Sequence, residues 1–149
     1  MDTTTTRYDE ITATLPKGYR AREFRDNDRE AMVAERNEQV HELQHGTADE
    51  WREWEKLDPP KDEFRVIVET ADGRMAASAD IGPGHFPRPD GTQSGGVGTF
   101  RAHQGKGLGT ALLAVIEAEA KRRDAPRILA GTSVAIAGSL EWAQKRGYT

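Results

Sequence analysis

The chain has 149 residues, 36% hydrophobic and 31% charged, with 21 basic against 25 acidic side chains and a net charge of −4. That is the size of one domain with room for a real core, and its acidic balance argues against bulk attraction to nucleic acid or an anionic membrane. The absence of cysteine excludes disulfides, thiolate metal ligands and a cysteine nucleophile.

Residues 1–16, which open Met1-Asp2 and four threonines, lack the basic start and apolar run of a signal peptide. They read as a flexible arm before a domain spanning 17–149. No stretch approaches the roughly 20 apolar residues of a membrane span, so a cytoplasmic protein is expected. Tyr19–Phe24 alternates as a short strand. Asn27-Asp28-Arg29-Glu30 has the form of a capping box, predicting a helix from about Asp28 to His41. Thr47-Ala48-Asp49-Glu50 repeats that signal, and Trp51, Trp54 and Leu57 follow at helical spacing until Asp58-Pro59-Pro60. This stripe reads as core or lid. Phe64–Glu69 alternates as a strand, Asp72-Gly73 predicts a tight hairpin turn, and Met75–Ile81 returns. Gly82–Gly96 is too rich in Gly and Pro for a regular element.

Val97–Phe100 reads as another short strand. Then Leu108, Ala111, Leu112, Val115 and Ile116 fall at i, i+3, i+4, i+7 and i+8, a clear amphipathic helix. A strand at Arg127–Gly131 and a helix over about Ala137–Arg146, closed by Gly147, complete the order β-α-α-β-β-β-α-β-α. A hairpin combined with helix crossovers predicts an α/β fold, a mixed sheet with helices on both faces.

Between strand and amphipathic helix lies Gln104-Gly105-Lys106-Gly107-Leu108-Gly109-Thr110. Glycines admit close ligand approach and unusual dihedrals. The first N–H groups of the helix lack internal partners and sit at the positive end of its dipole, a cradle for phosphate oxygens. Lys106 adds a point charge. The spacing excludes a P-loop, because Phe100 stands where its first glycine belongs and Gly107 where its Ser/Thr belongs. It also excludes the dinucleotide fingerprint, because Thr110 occupies the last glycine position.

What matches is Gln/Arg-x-x-Gly-x-Gly/Ala, the coenzyme A pyrophosphate loop. With Ala111-Leu112-Leu113 after it and the ending Lys145-Arg146-Gly147-Tyr148, the chain resembles the GCN5-related N-acetyltransferase superfamily from Tyr19 to Tyr148. The resemblance implies an acyl-CoA N-acyltransferase fold in which the strand before the loop splays from its neighbour and its backbone holds the pantetheine arm. It carries over to Thr99, Arg101, Gln104, Gly105, Lys106, Gly107, Leu108, Gly109 and Thr110 as acetyl-CoA contacts. It also implies direct attack by a primary amine of a small molecule or peptide, without a metal or a covalent enzyme intermediate.

The departures are specific. The family's usual acidic Tyr falls on Ala143 and its usual Asn on Ile136, neither of which donates a side-chain proton. Arg101 stands where the family often has Pro. Tyr148 is available, and reads first as a packing aromatic. The family continues with two more strands where only Thr149 follows here, so the fold is expected to lack its last two strands. A fragment of a tandem acetyltransferase, a homodimer mate supplying the edge, and a self-sufficient short fold all remain open. Candidate acid–base groups are Glu69, His103 and Tyr148, with Asp80 and His85 also on or beside the central strands. Glu35, Glu38 and His41 read as an exposed helical face able to line an acceptor site. His41 and His45 are spaced i, i+4 without a third ligand, so no metal is assigned. The alternative to an active enzyme is an acyl-CoA-binding scaffold half of a two-domain acetyltransferase.

Overall fold

The computed structural model describes residues 3–131 and 138–149. Five strands form one sheet in the order β1 (Tyr19–Arg22), β2 (Phe64–Thr70), β3 (Met75–Gly82), β4 (Gln93–Thr99) and β5 (Ile128–Leu129). The first four are antiparallel neighbours, while β5 runs parallel to β4. The helices are α1 (Thr3–Thr14), α2 (Asp28–Asn37), α3 (Ala48–Leu57), α4 (Leu108–Arg122) and α5 (Ser139–Lys145). This is the expected mixed α/β sheet.

Strand periodicity divides the sheet into two faces. Phe64, Val66 and Val68 on β2 stand in register with Ile81, Ala79 and Ala77 on β3. All six are buried in one core with Leu108, Leu112 and Ile116 of α4 and Ile11 of α1. Fully burying Leu112 and Ile116, as here, contributes about 1.5–3 kcal/mol each before entropy is counted. The opposite face presents Arg65, Ile67, Ser78 and Asp80, which meet Phe24, Met32 and Trp51 from the α2–α3 side.

The segment expected to be a flexible arm is helix α1. Its Ile11 enters the core, its Tyr8 hydroxyl donates to the Arg65 carbonyl at 2.8 Å, and its Arg7 pairs with the buried Glu119 of α4. Tyr8 and Ile11, with Leu15 just beyond the helix, pack on the core at i, i+3 and i+7, Tyr8 stacking on Phe64 with ring centres 5.8 Å apart, a short stripe that the surrounding threonines and charges mask.

Other boundaries shift for identifiable reasons. Asn27 makes no side-chain cap to α2; instead Asp28 accepts from the Arg25 N–H at 2.7 Å and pairs with Arg22 at 2.8 Å. The helix stops at Asn37, short of His41, where the Asn37 amide brackets Gly46 with bonds of 2.8 and 3.1 Å. At α3 the Thr47 cap forms as read, with the Glu50 N–H at 3.1 Å from its hydroxyl. Of the α3 stripe only Trp51 turns inward, while Trp54 and Leu57 are 72% and 81% exposed. The hairpin turn needs one left-handed residue, Gly73. β4 begins at Gln93, inside the stretch read as an irregular loop. Gly95 is required there, since a Cβ would lie 2.5 Å from the Asp80 carbonyl oxygen.

Candidate functional site

Among the described residues β5 pairs with β4 at Gln93↔Ile128 and Ser94↔Leu129, whereas β4 continues to Thr99 bonded to β3. Beyond Ser94 no described residue pairs with the outer edge of β4, and a cleft of about 950 Å³ opens along it. Its walls are Gly96–Phe100, the Gly-rich turn, Ile128–Gly131 and α5, over a floor of Leu108, Leu113 and Ile116.

The turn is built from backbone. The last sheet bond is Phe100 N–H to Ala76 at 2.9 Å, after which Arg101–His103 makes a 3-10 turn. Gly105 and Gly107 take φ of 77° and 88°, the left-handed region that side chains resist. Ala111 N–H reaches Gly107 O at 3.1 Å as the first helical bond. The N–H groups of Leu108, Gly109 and Thr110 thus have no helical acceptor and point from the positive end of α4. Leu108 itself is buried, so it offers the backbone only. The Gln104 amide spans back to the Thr99 carbonyl at 3.4 Å, and Lys106 is exposed.

α5 closes over this turn through residues that sequence reading missed. A Cβ on Gly109 would lie 3.1 Å from the Trp142 ring. Arg146 stacks 3.9 Å from the centre of that ring and donates to the Thr110 hydroxyl at 2.9 Å. Only the Arg146-Gly147-Tyr148 ending signalled α5 in the sequence. It gave no sign that Trp142 packs on the third glycine.

Thr99 lines the cleft. Arg101 has its N–H donating to Glu35 at 2.7 Å and its guanidinium paired with Glu38, so carboxylates in and just after α2 clasp the point where β4 bends away. His103 lines the cleft with Nδ1 2.9 Å from the Tyr19 hydroxyl. Tyr148 also lines it, and its hydroxyl donates to Glu117 at 3.1 Å. Burial and then that carboxylate push the Tyr148 pKa up to about 12. Ala143 lines the cleft as well, and Ile136 lies outside the described residues.

Glu69 is elsewhere. It sits under β1, buried, with Arg22 at 2.8 Å and Arg20 on its two oxygens. Burial opposes its ionisation, but the two guanidinium bonds prevail and hold its pKa below the usual carboxylate range, which makes it a poor base. His85 pairs with Asp58 on the surface, and the His41 ring caps a 3-10 turn by accepting from Leu43 N–H at 3.1 Å.

Asp80 differs from all of these. It borders a second, smaller cavity of about 130 Å³, on the α2–α3 side of the sheet, beside Glu63. Asp80 is itself exposed to solvent, yet packing around its carboxyl, the Glu63 charge and a hydrogen bond with Glu63 raise its pKa to about 7, with Arg65 opposing. Met32 and Ser78 line both this cavity and the large cleft.

Among the described residues, no helix is long and apolar enough to cross a membrane, and no group of three or more potential ligands could hold a metal. The family model for the Acetyltransferase (GNAT) family matches residues 20–148. No curated protein sequence matches the chain significantly. Among solved structures, yncA of Salmonella typhimurium, determined with its cofactor acetyl-CoA, aligns at 23% identity and TM-score 0.68, covering 89% of this chain and 80% of that one. The ribosomal-protein-alanine N-acetyltransferase of Brucella melitensis aligns at 20% identity and TM-score 0.65, covering 85% and 82%. AAC(6')-Iy, bound to the bisubstrate analogue CoA-S-monomethyl-acetylneamine, aligns at 15% and 0.61, covering 88% and 90%. At these identities the likeness is one of fold.

Proposed function

This chain belongs to the GNAT acetyltransferase family, and from that premise we propose that it is an N-acetyltransferase, using acetyl-CoA to acetylate a primary amine of a small molecule or peptide. The observation that carries the proposal is the left-handed Gly105 and Gly107 delivering the free N–H end of α4 to the mouth of the β4–β5 cleft. Gln104–Thr110 would receive the pyrophosphate. Each N–H to an ionised oxygen contributes roughly 1.5–3 kcal/mol, so three or four donors suffice without a cage of side chains. The outer edge of β4 from Gly96 to Thr99, unpaired among the described residues, would bond the pantetheine amides as an added strand would. The Arg101 N–H becomes available once Glu35 is displaced. A structural neighbour holding acetyl-CoA supports the cofactor. One neighbour holds an acetylneamine bisubstrate analogue and another is named for ribosomal-protein alanine, so the fold does not choose an acceptor.

The chemistry is direct attack of the amine on the thioester, for which the protein must align both partners and shield the carbonyl from water. His103 and Tyr148 are the cleft groups able to return a proton to the departing sulfur. We place the reaction in the cytoplasm. The test is calorimetric titration with acetyl-CoA followed by thiol-release assays on a panel of primary amines. Absence of acetyl-CoA binding would refute the proposal.

A second reading has one observation in its favour. Ala143 lines the cleft at the position that the resemblance gives to the family's usual Tyr, which suits an acyl-CoA-binding scaffold half of a two-domain acetyltransferase. Binding without turnover on any amine would select it.

A further inference from the structure

β4 reads Gln93-Ser94-Gly95-Gly96-Val97-Gly98-Thr99. Alternation places Val97 and Thr99 over the α4 core, and Gly96 and Gly98 on the opposite face, in register with Asp80 and Ser78. Gly95 is glycine for steric reasons, but the other two are not. A Cβ on Gly96 would meet nothing within 4 Å, a Cβ on Gly98 only the Ser78 hydroxyl at 3.9 Å, and neither has a left-handed φ. Glycine weakens a strand, so its presence at two unconstrained positions calls for another reason. Together they strip one face of β4 exactly where Met32 and Ser78 border both cavities. Between the large cleft and the exposed Asp80, this face of β4 therefore carries no side chain at 96 or 98, an opening termed the window below.

The charges around Asp80 are mostly committed elsewhere. Arg65 is bonded to Glu55 at 2.8 Å and Glu63 at 3.0 Å, and Arg29 pairs with Glu55 and Asp26. Both guanidiniums also lie against the Phe24 ring, at 4.5 and 4.8 Å from its centre, so that ring is already occupied by cations. A ligand in the small cavity meets the Asp80–Glu63 carboxyl pair, apolar walls from Met32 and Trp51, and no cation in the lining other than the committed Arg65. A cavity of about 130 Å³ admits only a slender group.

Resting on the acetyltransferase reading above, we infer that the Asp80–Glu63 pair is the acceptor site and selects a primary ammonium on a slender apolar stem, with no carboxylate beside the amine. Asp80 takes one proton from the ammonium. The freed nitrogen lone pair attacks the thioester carbon through the window, the C–N bond forms, and the C–S bond breaks with its electron pair on sulfur. The second nitrogen proton passes to that sulfur by way of the cleft. Asp80 then releases its proton to solvent, leaving an acetamide, a free thiol and one proton. Because Asp80 must be ionised to receive the ammonium, ammonium binding and kcat/KM rise as pH climbs through about 7.

The test uses the whole chain with butylamine, and with norvaline as a matched amine bearing an α-carboxylate. Butylammonium should raise the melting temperature of the acetyl-CoA-saturated protein more at pH 8 than at pH 6, and norvaline should not. Asp80→Asn should abolish that shift and lower kcat/KM at least a hundredfold, removing its rise through pH 7. Gly96→Val, at a position where an added Cβ meets nothing, should raise the amine KM at least tenfold, a larger factor than its effect on the acetyl-CoA Kd. Failure to bind acetyl-CoA would sink the acetyltransferase reading itself. Intact acetyl-CoA binding with no butylammonium shift, or with a shift and turnover indifferent to both variants, would overturn this inference alone.

Discussion

Replacing Gly107 with alanine isolates the backbone contribution of the turn. A Cβ there would touch nothing within 4 Å, so the substitution has no steric consequence. Its whole effect comes from the φ of 88°, because an L-residue in the left-handed region costs roughly 1–2 kcal/mol. That cost must appear in one of two places. If the variant turn keeps its conformation, folding bears it, and the melting temperature falls by about 2–8 °C at roughly 2–4 °C per kcal/mol. If the turn relaxes when empty, folding is spared and binding must restore the geometry. The acetyl-CoA Kd then rises about 5- to 30-fold, at about 1.4 kcal/mol per decade. The two losses, converted to free energy, should sum to the same 1–2 kcal/mol. Calorimetry with acetyl-CoA paired with thermal melts of the free protein measures both. A variant with wild-type melting and wild-type affinity would show that Gly107 does not present the pyrophosphate donors.

Gly109→Ala fails for a different reason, the 3.1 Å approach of Trp142, so it should weaken acetyl-CoA binding and Trp142→Phe should rescue part of the loss by calorimetry. Glu69→Gln should lower stability by about 2–3 kcal/mol, discounted from the 3–5 of a fully buried broken pair because Arg20 is 63% exposed. It should leave acetyl-CoA affinity unchanged in the same titration. Because the folded pKa of Glu69 is depressed, its ion pairs stabilise the fold above the usual carboxylate pKa and lose that effect as pH falls through the folded value. Melting of the wild type should therefore drop more steeply below pH 5 than melting of Glu69→Gln. His103→Gln should reduce kcat at least tenfold at fixed acetyl-CoA affinity, whereas Tyr148→Phe should change it less than threefold, since the phenol hydrogen is committed to Glu117. A reversed ranking in single-turnover assays would make Tyr148 the proton donor.

The parts of this molecule that were legible in sequence are those whose cause is local. The α4 stripe, the Thr47 cap, the β2–β3 alternation and the Gly-rich turn each follow from spacing within a few residues, and each stands where it was read. The misread parts depend on partners far along the chain. Helix α1 is fixed by Tyr8 and Ile11 on the core and by bonds to Arg65 and Glu119, and its short apolar spacing is masked by the threonines around it. Glu69 has an eligible place on a central strand, and only the approach of Arg20 and Arg22 from β1 shows that its carboxylate is spoken for. Asp80 looked equivalent to Glu69 in sequence. The structure separates them by neighbour, guanidiniums around one and a second carboxyl beside the other.

The strand that opens the cleft is also the least suited to be a strand. β4 carries glycine at 95, 96 and 98, and each weakens a β-strand by loss of side-chain packing and by backbone entropy. Pairing with β3 along its length holds it in place, as do Val97 and the buried α4 residues packed behind the sheet. Only Gly95 is exacted by packing. The other two leave a bare backbone edge facing the cleft on one side and the Asp80 carboxyl on the other, which a better-packed strand would cover. A valine at position 96 would supply β-propensity and contact area that the fold lacks, with free space to accept it. Such a variant should melt no lower than the wild type, and its loss of acceptor binding would then have to be charged to the closed window rather than to a damaged sheet. The weakness of β4 is thus the physical form that access to the reaction takes, and stability forgone at Gly96 and Gly98 is what keeps the two cavities in communication.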